Sequence, residues 1–379
     1  MQVTVERNNL LKALEYIDGV VEKRHAIPIL ANIKIEAANN NFVTLTATDL
    51  DLAITAQVPA QVTEQGISTI PARSFFEITR RLADGAKISL KIDPSVDADI
   101  VTIEAGEAKF TLPTMNADEF PDFDATNTPY SFVINADIFK MLFIKTRHAI
   151  ANEEARYYLN GVFFHATENN GIPVLRAVAT DGHRLARADV AIPTGASDIP
   201  EIIIPKKTVH ELIKLLEDTV GDVNVNLSTS RLVITVGDFK LSSKLIEGKY
   251  PDYSQVLPAN NDKFLEVSPR ELARSIDLVI SVTPDKTRSV KLNLNENGVT
   301  IASSSEMNHS STGVQKIEGK YNNPNSLSVG FNAKYILDSL SAIDGDVVQF
   351  SFSNSMGAVL ARDLTDPNSE FLLMPLQIA

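Results

Sequence analysis

Three stretches of the sequence, VTVERNNLLKAL at 3–14, FVINADIFKML at 132–142 and FLEVSPRELA at 264–273, share one pattern of apolar and polar residues. Each begins with a short alternation, which is typical of a strand, and continues with the spacing of an amphipathic helix. Asn8, Asn135 and Ser268 are predicted helix caps, and Pro269 suits a first helical position. The sequence therefore predicts one strand-to-helix unit at the start of each third of the chain.

A second helical pattern follows a strand end in every third, at IPARSFFEI (70–78), IPKKTVHEL (204–212) and VGFNAKYIL (329–337). Short alternating runs with Gly, Asn or Asp at their breaks lie around these helices and predict further strands. Repeats of about 125 residues are too long for solenoid units, and each can bury its own core. We therefore predict an α+β protein of three repeated domains, each with two helices packed on antiparallel sheets, with boundaries at 1–127, 128–258 and 259–379.

Composition restricts the classes of function. The 379 residues include no cysteine and six scattered histidines, which excludes disulfides and thiolate chemistry and leaves little for a zinc cluster. No apolar run approaches the 18 residues of a membrane span, and no basic start precedes an apolar stretch. We therefore expect a cytoplasmic protein with no metal, no cofactor and no membrane partner.

The charge is uneven along the chain. Overall, 35 basic residues stand against 48 acidic ones, for a net charge of −13, which argues against a phosphate-rich partner. The helical segments predicted at 6–24, 73–84, 136–150, 206–218, 269–282 and 333–343 nevertheless contain 16 basic and 13 acidic residues. Lys and Arg favour helices in any protein, so this contrast gains a functional meaning only if the helices share one face.

The segment ATDGHRLA (179–186) repeats ATDLDLA (47–53) of the first third. Asp181-Gly182 is a tight-turn signal. Asp181 and His183 could form an acid and base pair, but no nucleophile, phosphate loop or second carboxylate at useful spacing accompanies them. Because Asp51 stands where His183 does, we interpret the segment as a shared structural turn to which the second copy adds a contact role.

Two aromatic segments also repeat: FPDF (120–123) and YPDY (250–253) end the first two thirds and predict linkers pinned against a domain. The adjacent Tyr157 and Tyr158 could either stack on bases or pack a hairpin. The apolar segment FLLMPL (371–376) predicts a strand that lies in a groove.

These motifs together resemble one family. IPIL (27–30), RYYLNG (156–161), TDGHRLA (180–186), EGKYPDY (247–253) and LMP (373–375), in this order within three repeats, resemble the bacterial DNA polymerase III beta subunit, the sliding clamp. The resemblance covers essentially the whole chain. The competing interpretation is a non-enzymatic, β-rich repeat scaffold without a role in nucleic acid binding.

The resemblance implies a homodimer closed head to tail into a ring around double-stranded DNA, with helices lining the hole and an acidic outside. A clamp loader opens such a ring. The clamp confers processivity in DNA replication by holding the polymerase alpha subunit, other DNA polymerases, ligase and mismatch-repair proteins through clamp-binding peptides. It has no catalytic site of its own.

The resemblance also implies site residues. The DNA contacts are Arg24, Arg73, Tyr157, Tyr158, Lys206 and Lys207. The partner-peptide pocket consists of Leu159, Thr180, Gly182, His183, Arg184, Leu185, Pro251, Val256, Tyr335, Leu372, Met374, Pro375 and Leu376.

Two rim positions depart from the family pattern. Gln255 and Gln377 stand where many relatives have basic residues, so a preference for acidic peptides is an open question. With such a rim, the affinity for a core peptide should depend little on salt, and Arg184 is the first candidate for a replacement cation.

A dimer interface is predicted on an edge strand around Lys109–Thr114. Phe110 and Leu112 of this strand, with Leu82, are expected to meet Val279 and Ile280 of the second protomer.

Overall fold

The computed structural model describes residues 1–22, 27–38, 41–93, 97–123, 127–282, 289–304 and 312–377. The chain divides into two compact units. The first comprises residues 1–140, 193–200 and 207–245, and the second comprises residues 141–192, 201–206 and 246–379. The strands of the middle third are shared between the two units.

The first unit contains one antiparallel sheet. Its strands are β1 (Gln2–Glu6), β2 (Asn32–Ala37), β3 (Phe42–Thr48), β4 (Leu52–Glu64), β5 (Gly66–Pro71), β6 (Lys87–Asp93), β7 (Asp97–Ala105), β8 (Ala108–Pro113), β9 (Tyr130–Asn135), β14 (Asp222–Leu227), β15 (Arg231–Val236) and β16 (Phe239–Lys244). The main path runs β8-β7-β6-β1-β4-β16-β15-β14-β9, and β2, β3 and β5 branch from β4. The long strand β4 pairs with β16 through its first residues and with β1 through its last, and so joins the first third to the middle third.

The second unit contains two antiparallel sheets. Its strands are β10 (Gly161–Asn169), β11 (Ile172–Thr180), β12 (Arg184–Ala191), β13 (Ile202–Pro205), β17 (Lys263–Val267), β18 (Ser289–Asn295), β19 (Gly298–Ser304), β20 (Val314–Ile317), β21 (Lys320–Tyr321), β22 (Leu327–Asn332), β23 (Val348–Phe352), β24 (Val359–Asp363) and β25 (Asp366–Leu373). Nine strands follow the order β13-β10-β11-β12-β25-β24-β23-β17-β21, and four follow β20-β19-β18-β22. Pairing of β12 with β25 joins the middle third to the last third.

Each third of the described chain supplies two α-helices, as the repeat predicts. They are α1 (Arg7–Asp18), α2 (Ala72–Arg81), α3 (Ala136–Thr146), α4 (Lys206–Glu217), α5 (Pro269–Ile280) and α6 (Ala333–Leu340). Helix α1 packs on α2, and α5 packs on α6. Most of the helices end several residues earlier than the periodicity predicts. The fold class of three repeated two-helix domains on antiparallel sheets is confirmed.

Two of the three predicted caps are confirmed. Asn135 Oδ1 accepts a hydrogen bond from Asp137 N at 3.0 Å, and Ser268 caps α5 with Pro269 as its first residue. The prediction for Asn8 is wrong, because α1 begins at Arg7 and the Glu6 carboxylate caps it. A carboxylate in this position accepts the orphan amides of the first turn as a hydroxyl or amide side chain does.

The predicted anchoring of the linkers is confirmed, and the strand predicted at 371–376 is confirmed as far as Leu373. Phe120 is buried against Ile29 and Leu30, and Tyr250 stacks on Phe163 with ring centroids 4.8 Å apart. Strand β25 lies between β12 and β24, with its last three residues, 371–373, buried. The aromatic ring before each proline therefore anchors the linker, whereas the preceding strands end earlier, at Pro113 and Lys244, so neither Pro121 nor Pro251 ends a strand.

No helix in the described residues is long and apolar enough to cross a membrane. In the same part of the chain, no group of three or more His, Cys, Asp or Glu side chains could hold a metal ion.

Candidate functional site

One turn is built twice. Thr180 Oγ1 donates to the Arg184 carbonyl at 2.7 Å, and Asp181 Oδ1 accepts from the amides of residues 183 and 184. Thr48 and Asp49 make the equivalent bonds to residues 51 and 52 in the first third. The interpretation of ATDGHRLA and ATDLDLA as a shared structural turn is confirmed. The side-chain oxygen atoms of Thr180 and Asp181 form hydrogen bonds within this turn.

Gly182 occupies the strained position of this turn, with φ of +88°. Leu50 holds the equivalent position with φ of +79°, so the turn tolerates a side chain at some cost. A Cβ on Gly182 would lie 2.8 Å from Nη1 of Arg156. Arg156, which pairs with Glu153 at 2.7 Å, therefore lies over the glycine in the free protein.

Gly182→Ala is expected to lower the free energy of unfolding by about 1–2 kcal/mol, because an L-residue is strained at this φ and Arg156 must move. Gly85→Ala is the matched control, since Gly85 has φ of +71° and nothing within 4 Å of a Cβ. Urea denaturation of both variants measures the difference. Equal losses would show that the contact with Arg156 contributes nothing.

An apolar cluster lies beneath the turn and brings three predicted pocket residues together. Leu159, Leu185 and Leu372 are buried in it, and Leu185 and Leu372 are paired across β12 and β25. The other buried members are Ala151, Phe163, Val178, Ile203, Tyr250 and Leu360. Leucines of three separate motifs, RYYLNG, TDGHRLA and FLLMPL, thus meet at one place in the second unit.

Exposed apolar side chains form the rim of this site. Met374 N donates to the carbonyl of His183 at 2.9 Å, and the His183 ring lies 6.4 Å from Tyr335 of α6. Val256 is 51% exposed, Met374 40% and Leu376 39%. We call this site the partner pocket: the buried leucines, the turn at 180–185, Pro251, Val256, Tyr335 and the segment 374–376. Exposed apolar groups around an apolar floor are typical of an interaction site.

Arg184 is not a free rim cation, which corrects the expectation from the sequence. Its guanidinium bonds to Asp338 at 2.6 Å and Asp181 at 3.1 Å and lies 4.4 Å over the Tyr335 ring. Burial alone would raise the pKa of Asp338, but hydrogen bonds from Lys334 and Arg184 hold it below its ordinary value. Arg184 therefore stabilises the junction between β12 and α6.

The departure at Gln255 also has a structural role. Its amide donates to Asp252 Oδ2 at 2.9 Å, and Ser254 donates to Oδ1 of the same carboxylate. These bonds close the 3-10 turn that carries Val256. An uncharged side chain here holds the turn and leaves the apolar rim in place.

Several residues that contribute to the pocket were not assigned from the sequence. Phe163, Val178 and Leu360 line its floor, and Ala358 packs on them from the chain entering β24. The alternating pattern of their strands signals that they are buried, but not that they lie beneath a binding site.

The equivalent place in the first third lacks this apolar floor. Ala53 pairs with Ser242 across β4 and β16, in the register where Leu185 pairs with Leu372. Two small side chains, one of them polar, replace two leucines. The repeated turn is therefore common to both thirds, while the leucine pair beneath it is found at the second turn and not at the first.

Buried histidines support the pocket and make the fold sensitive to acid. His165 Nε2 lies 3.1 Å from the Tyr253 hydroxyl, to which Arg176 also donates at 3.2 Å. Burial lowers the pKa of His165 to about 4, and that of His148 likewise to about 4. Both imidazoles are therefore neutral in the folded protein at neutral pH.

Lowering the pH from 7 to 5 is expected to destabilise the protein, because the unfolded chain, with a histidine pKa near 6.5, takes up protons that the folded chain refuses. His165 alone should contribute about 2 kcal/mol of this loss. Urea unfolding at both pH values, with His165→Gln and the exposed His210→Gln as control, measures it. The contribution is refuted if His165→Gln keeps the full loss.

The predicted DNA contacts differ in solvent exposure. Arg73 on α2 and Lys206 at the start of α4 are exposed, and Tyr157 is 53% exposed. Tyr158 packs against the apolar cluster, and its ring lies edge-on to Tyr157 at 5.9 Å. Arg24 lies outside the described residues.

Lys207 requires a correction. Its ammonium group donates to the carbonyl of Val20 and to the carboxylate of Asp49, and lies 3.7 Å from Glu22. Its charge is compensated within the first unit, so Lys207 is not the free cation that the sequence suggested, while its contact with DNA stays a prediction.

The difference in charge between the helices and the rest of the chain is still present when the observed helix bounds are used. The six helices contain 13 basic and 9 acidic residues, and the rest of the chain carries −17. Positive charge is therefore concentrated on one class of element.

The predicted interface strand lies at a sheet edge. Strand β8 ends the strand order of its sheet, with Phe110 37% exposed and with Leu112 and Leu82 partly exposed. In the second unit, β20 ends the four-stranded sheet, and its Val314 is 66% exposed. Both strands have backbone groups to offer to a further strand.

The predicted contacts on α5 are wrong. Val279 and Ile280 are 2% and 3% exposed because they pack into the core of their own chain. The exposed apolar residues at this end of α5 are Leu278, at 60%, and Val282, at 43%.

Comparison with known proteins agrees with the fold and the motifs. Family models of the DNA polymerase III beta subunit match in three parts: the N-terminal domain at residues 1–124, the central domain at 133–252 and the C-terminal domain at 254–377. The beta sliding clamp of Caulobacter vibrioides is 37% identical over 378 residues, and that of Escherichia coli is 33% identical over 381, each covering 100% of both chains.

Solved structures give the same result. The Caulobacter crescentus pol III beta structure has a TM-score of 0.92 at 37% identity and covers 100% of both chains. A sliding clamp from Bartonella birtlesii bound to griselimycin has a TM-score of 0.94 at 35% identity, also over 100% of both chains.

Three two-helix repeats joined through shared sheets, with one apolar pocket at the second junction, define a clamp-type protein. The chain belongs to the DNA polymerase III beta subunit family, the beta sliding clamps. The alternative of a repeat scaffold without a nucleic acid role is not favoured.

Proposed function

We propose that this protein closes as a head-to-tail homodimer around duplex DNA and tethers DNA polymerase and other DNA-processing proteins through the partner pocket. The observation that carries the proposal is the pocket itself, which three family motifs build at the junction of β12 and β25. The domains would be 1–127, 128–258 and 259–379.

The DNA-facing surface of the ring would use the basic helices. Arg73, Lys206 and Tyr157 are the exposed members of the predicted set, and they offer two cations and an aromatic face. At −13 overall, long-range attraction of DNA is poor, so retention must come from closure rather than affinity. The contacts would be independent of sequence because they reach phosphates.

The ring would have no catalytic site and no cofactor, and would act in the cytoplasm, where a bacterium replicates its DNA. A clamp loader would open it. Polymerase alpha subunit, other DNA polymerases, ligase and mismatch-repair proteins would compete for the partner pocket through short apolar peptides.

The dimer would form between the edges of β8 and β20. Phe110, Leu112 and Leu82 of one protomer would meet Leu278, Val282 and Val314 of the other, in place of the buried Val279 and Ile280. Strand addition would satisfy both edges and continue a sheet across the interface.

A peptide of sequence Gln-Leu-Ser-Leu-Phe is expected to bind the partner pocket with little dependence on salt. Burying two apolar side chains contributes about 1.5–3 kcal/mol each, a large part of the roughly 8 kcal/mol of a micromolar complex. Arg184 is neutralised by two carboxylates, and Gln255 is uncharged.

Fluorescence titration of this peptide at 50 and 300 mM salt tests the pocket. Truncation after Leu373, or Met374→Asp, should weaken binding at least tenfold, whereas Leu364→Asp, a matched exposed apolar site on the turn after β24, should not. Unchanged affinity in both pocket variants would remove the assignment.

A further inference from the structure

A second cavity adjoins the partner pocket on the same face of the nine-stranded sheet. It has a volume of about 410 Å³ and shares Pro251 and the stacked rings of Phe163 and Tyr250 with the floor and rim of the pocket. Its far side is formed by Arg176, Arg187 and Lys249. We call it the flanking cavity.

Two carboxylates in or beside the flanking cavity each accept three hydrogen bonds: Asp252 lines the cavity, and Asp189 pairs with the lining residue Arg176. Asp189 accepts from Arg176 at 2.6 and 2.7 Å and from Asn169 at 3.0 Å. Asp252 accepts from Ser254 and Gln255. Each of these carboxylates therefore fills three of its roughly four acceptor sites with donors of this chain.

Donors, in contrast, are in excess. Glu370 is shared by Arg187, at 2.7 Å, and Arg362, so one carboxylate faces two guanidinium groups across three neighbouring strands. The Arg187 side chain is 11% exposed. Its Nε atom is buried and makes no hydrogen bond within the described chain. Nε itself is closed to solvent, so an acceptor in the cavity approaches the exposed part of the Arg187 side chain, which lines the cavity.

Lys249 adds a mobile cation at the mouth of the cavity. It is exposed, and no ion pair joins it to another described residue. Glu201 and Asp252, both exposed in the lining, are the opposing charges, and the charge of Lys249 helps to lower the pKa of Asp252 after the hydrogen bonds from Ser254 and Gln255. A ligand that reached Arg187 and Lys249 together would gain two charge-assisted hydrogen bonds.

We propose that the flanking cavity binds the carboxylate of an aspartate or glutamate that lies beside the apolar motif of a partner peptide. This rests on the proposed function of the partner pocket and names a further determinant of its partners. The guanidinium of Arg187 and Nζ of Lys249 are the donors. Gln255 is uncharged and bonded to Asp252, so recognition of the acid falls to the flanking cavity rather than to this rim position.

The test compares extended peptides. The core Gln-Leu-Ser-Leu-Phe is lengthened by Gly-Asp or Gly-Asn at its carboxyl end, amidated, and by Asp-Gly or Asn-Gly at its acetylated amino end. At 50 mM salt we expect Asp to bind three- to tenfold more tightly than Asn at one end, and the ratio to fall toward one at 300 mM salt.

Variants assign the effect to the cavity. Arg187→Gln with Lys249→Gln should abolish the Asp-to-Asn ratio while leaving the affinity for the core peptide unchanged, and Lys249→Gln alone, at an exposed site, should reduce it in part. Glu201→Gln should increase the ratio.

Equal affinity for Asp and Asn peptides at both ends, or a ratio that survives in the double variant, would overturn the proposal. Failure of the core peptide to bind at all would instead refute the proposed function of the partner pocket.

Discussion

Replacing Phe110 and Val282 together with aspartate is expected to convert the dimer into a monomer. A head-to-tail ring of two chains contains two copies of one interface, so the pair of substitutions places four carboxylates in apolar contacts. Each substitution removes an apolar contribution of about 1.5–3 kcal/mol and leaves a charge without a partner. An interface of ordinary size does not remain associated when both substitutions remove this free energy of binding.

Size-exclusion chromatography with light scattering at micromolar concentration measures the mass. Ile172→Asp with Val220→Asp is the matched control, because these apolar residues are 65% and 98% exposed and neither belongs to β8, β20 or α5. Ile280→Asp should unfold the protein rather than dissociate it, since its side chain is 3% exposed. A Phe110 and Val282 double variant that keeps the dimer mass would place the interface elsewhere.

For the predicted interface, helical periodicity in the sequence was sufficient to tell the buried residues of α5 from the exposed ones. Leu272, Ile276, Val279 and Ile280 stand at the spacing of one helical stripe, and all four are buried. Leu278 lies off that stripe, so its exposure follows from the sequence alone. The edge position of β8 was predictable because Phe110 and Leu112 alternate at the end of a hairpin.

Long-range ion pairs explain the predictions that failed elsewhere. Lys207 meets Asp49, 158 residues away in the sequence, and Arg184 meets Asp338, 154 residues away. No local pattern connects such pairs, so both cations looked available. The repeated turn at 48–52 and 180–184 was predictable because all of its hydrogen bonds lie within five residues.

The partner pocket was predictable only in part. Its motifs were recognisable because each has a local reason, such as the tight turn at Gly182 or the proline at 251. Its floor depends on the register of β12 with β25, which pairs Leu185 with Leu372 and is set by tertiary packing. The same register places Arg187 opposite Glu370, so the flanking cavity was also invisible in the sequence.

Retention on closed circular DNA is expected to be the largest effect of all. With a net charge of −13 and exposed charges screened beyond about 8 Å at physiological salt, a ring on DNA must be held by topology. Clamp placed on a nicked circle by a clamp loader should therefore stay bound for many minutes and leave within seconds of linearisation. Arg73→Ala with Lys206→Ala should weaken loading but not this dependence on closure.

The decisive measurement is the amount of labelled clamp that remains with DNA in gel filtration before and after a single restriction cut. We predict nearly complete retention on the uncut circle and nearly complete loss from the cut DNA, with retention restored when both ends are blocked by bound protein. Equal retention on circular and linear DNA would contradict a sliding ring and would assign the association to ordinary surface affinity.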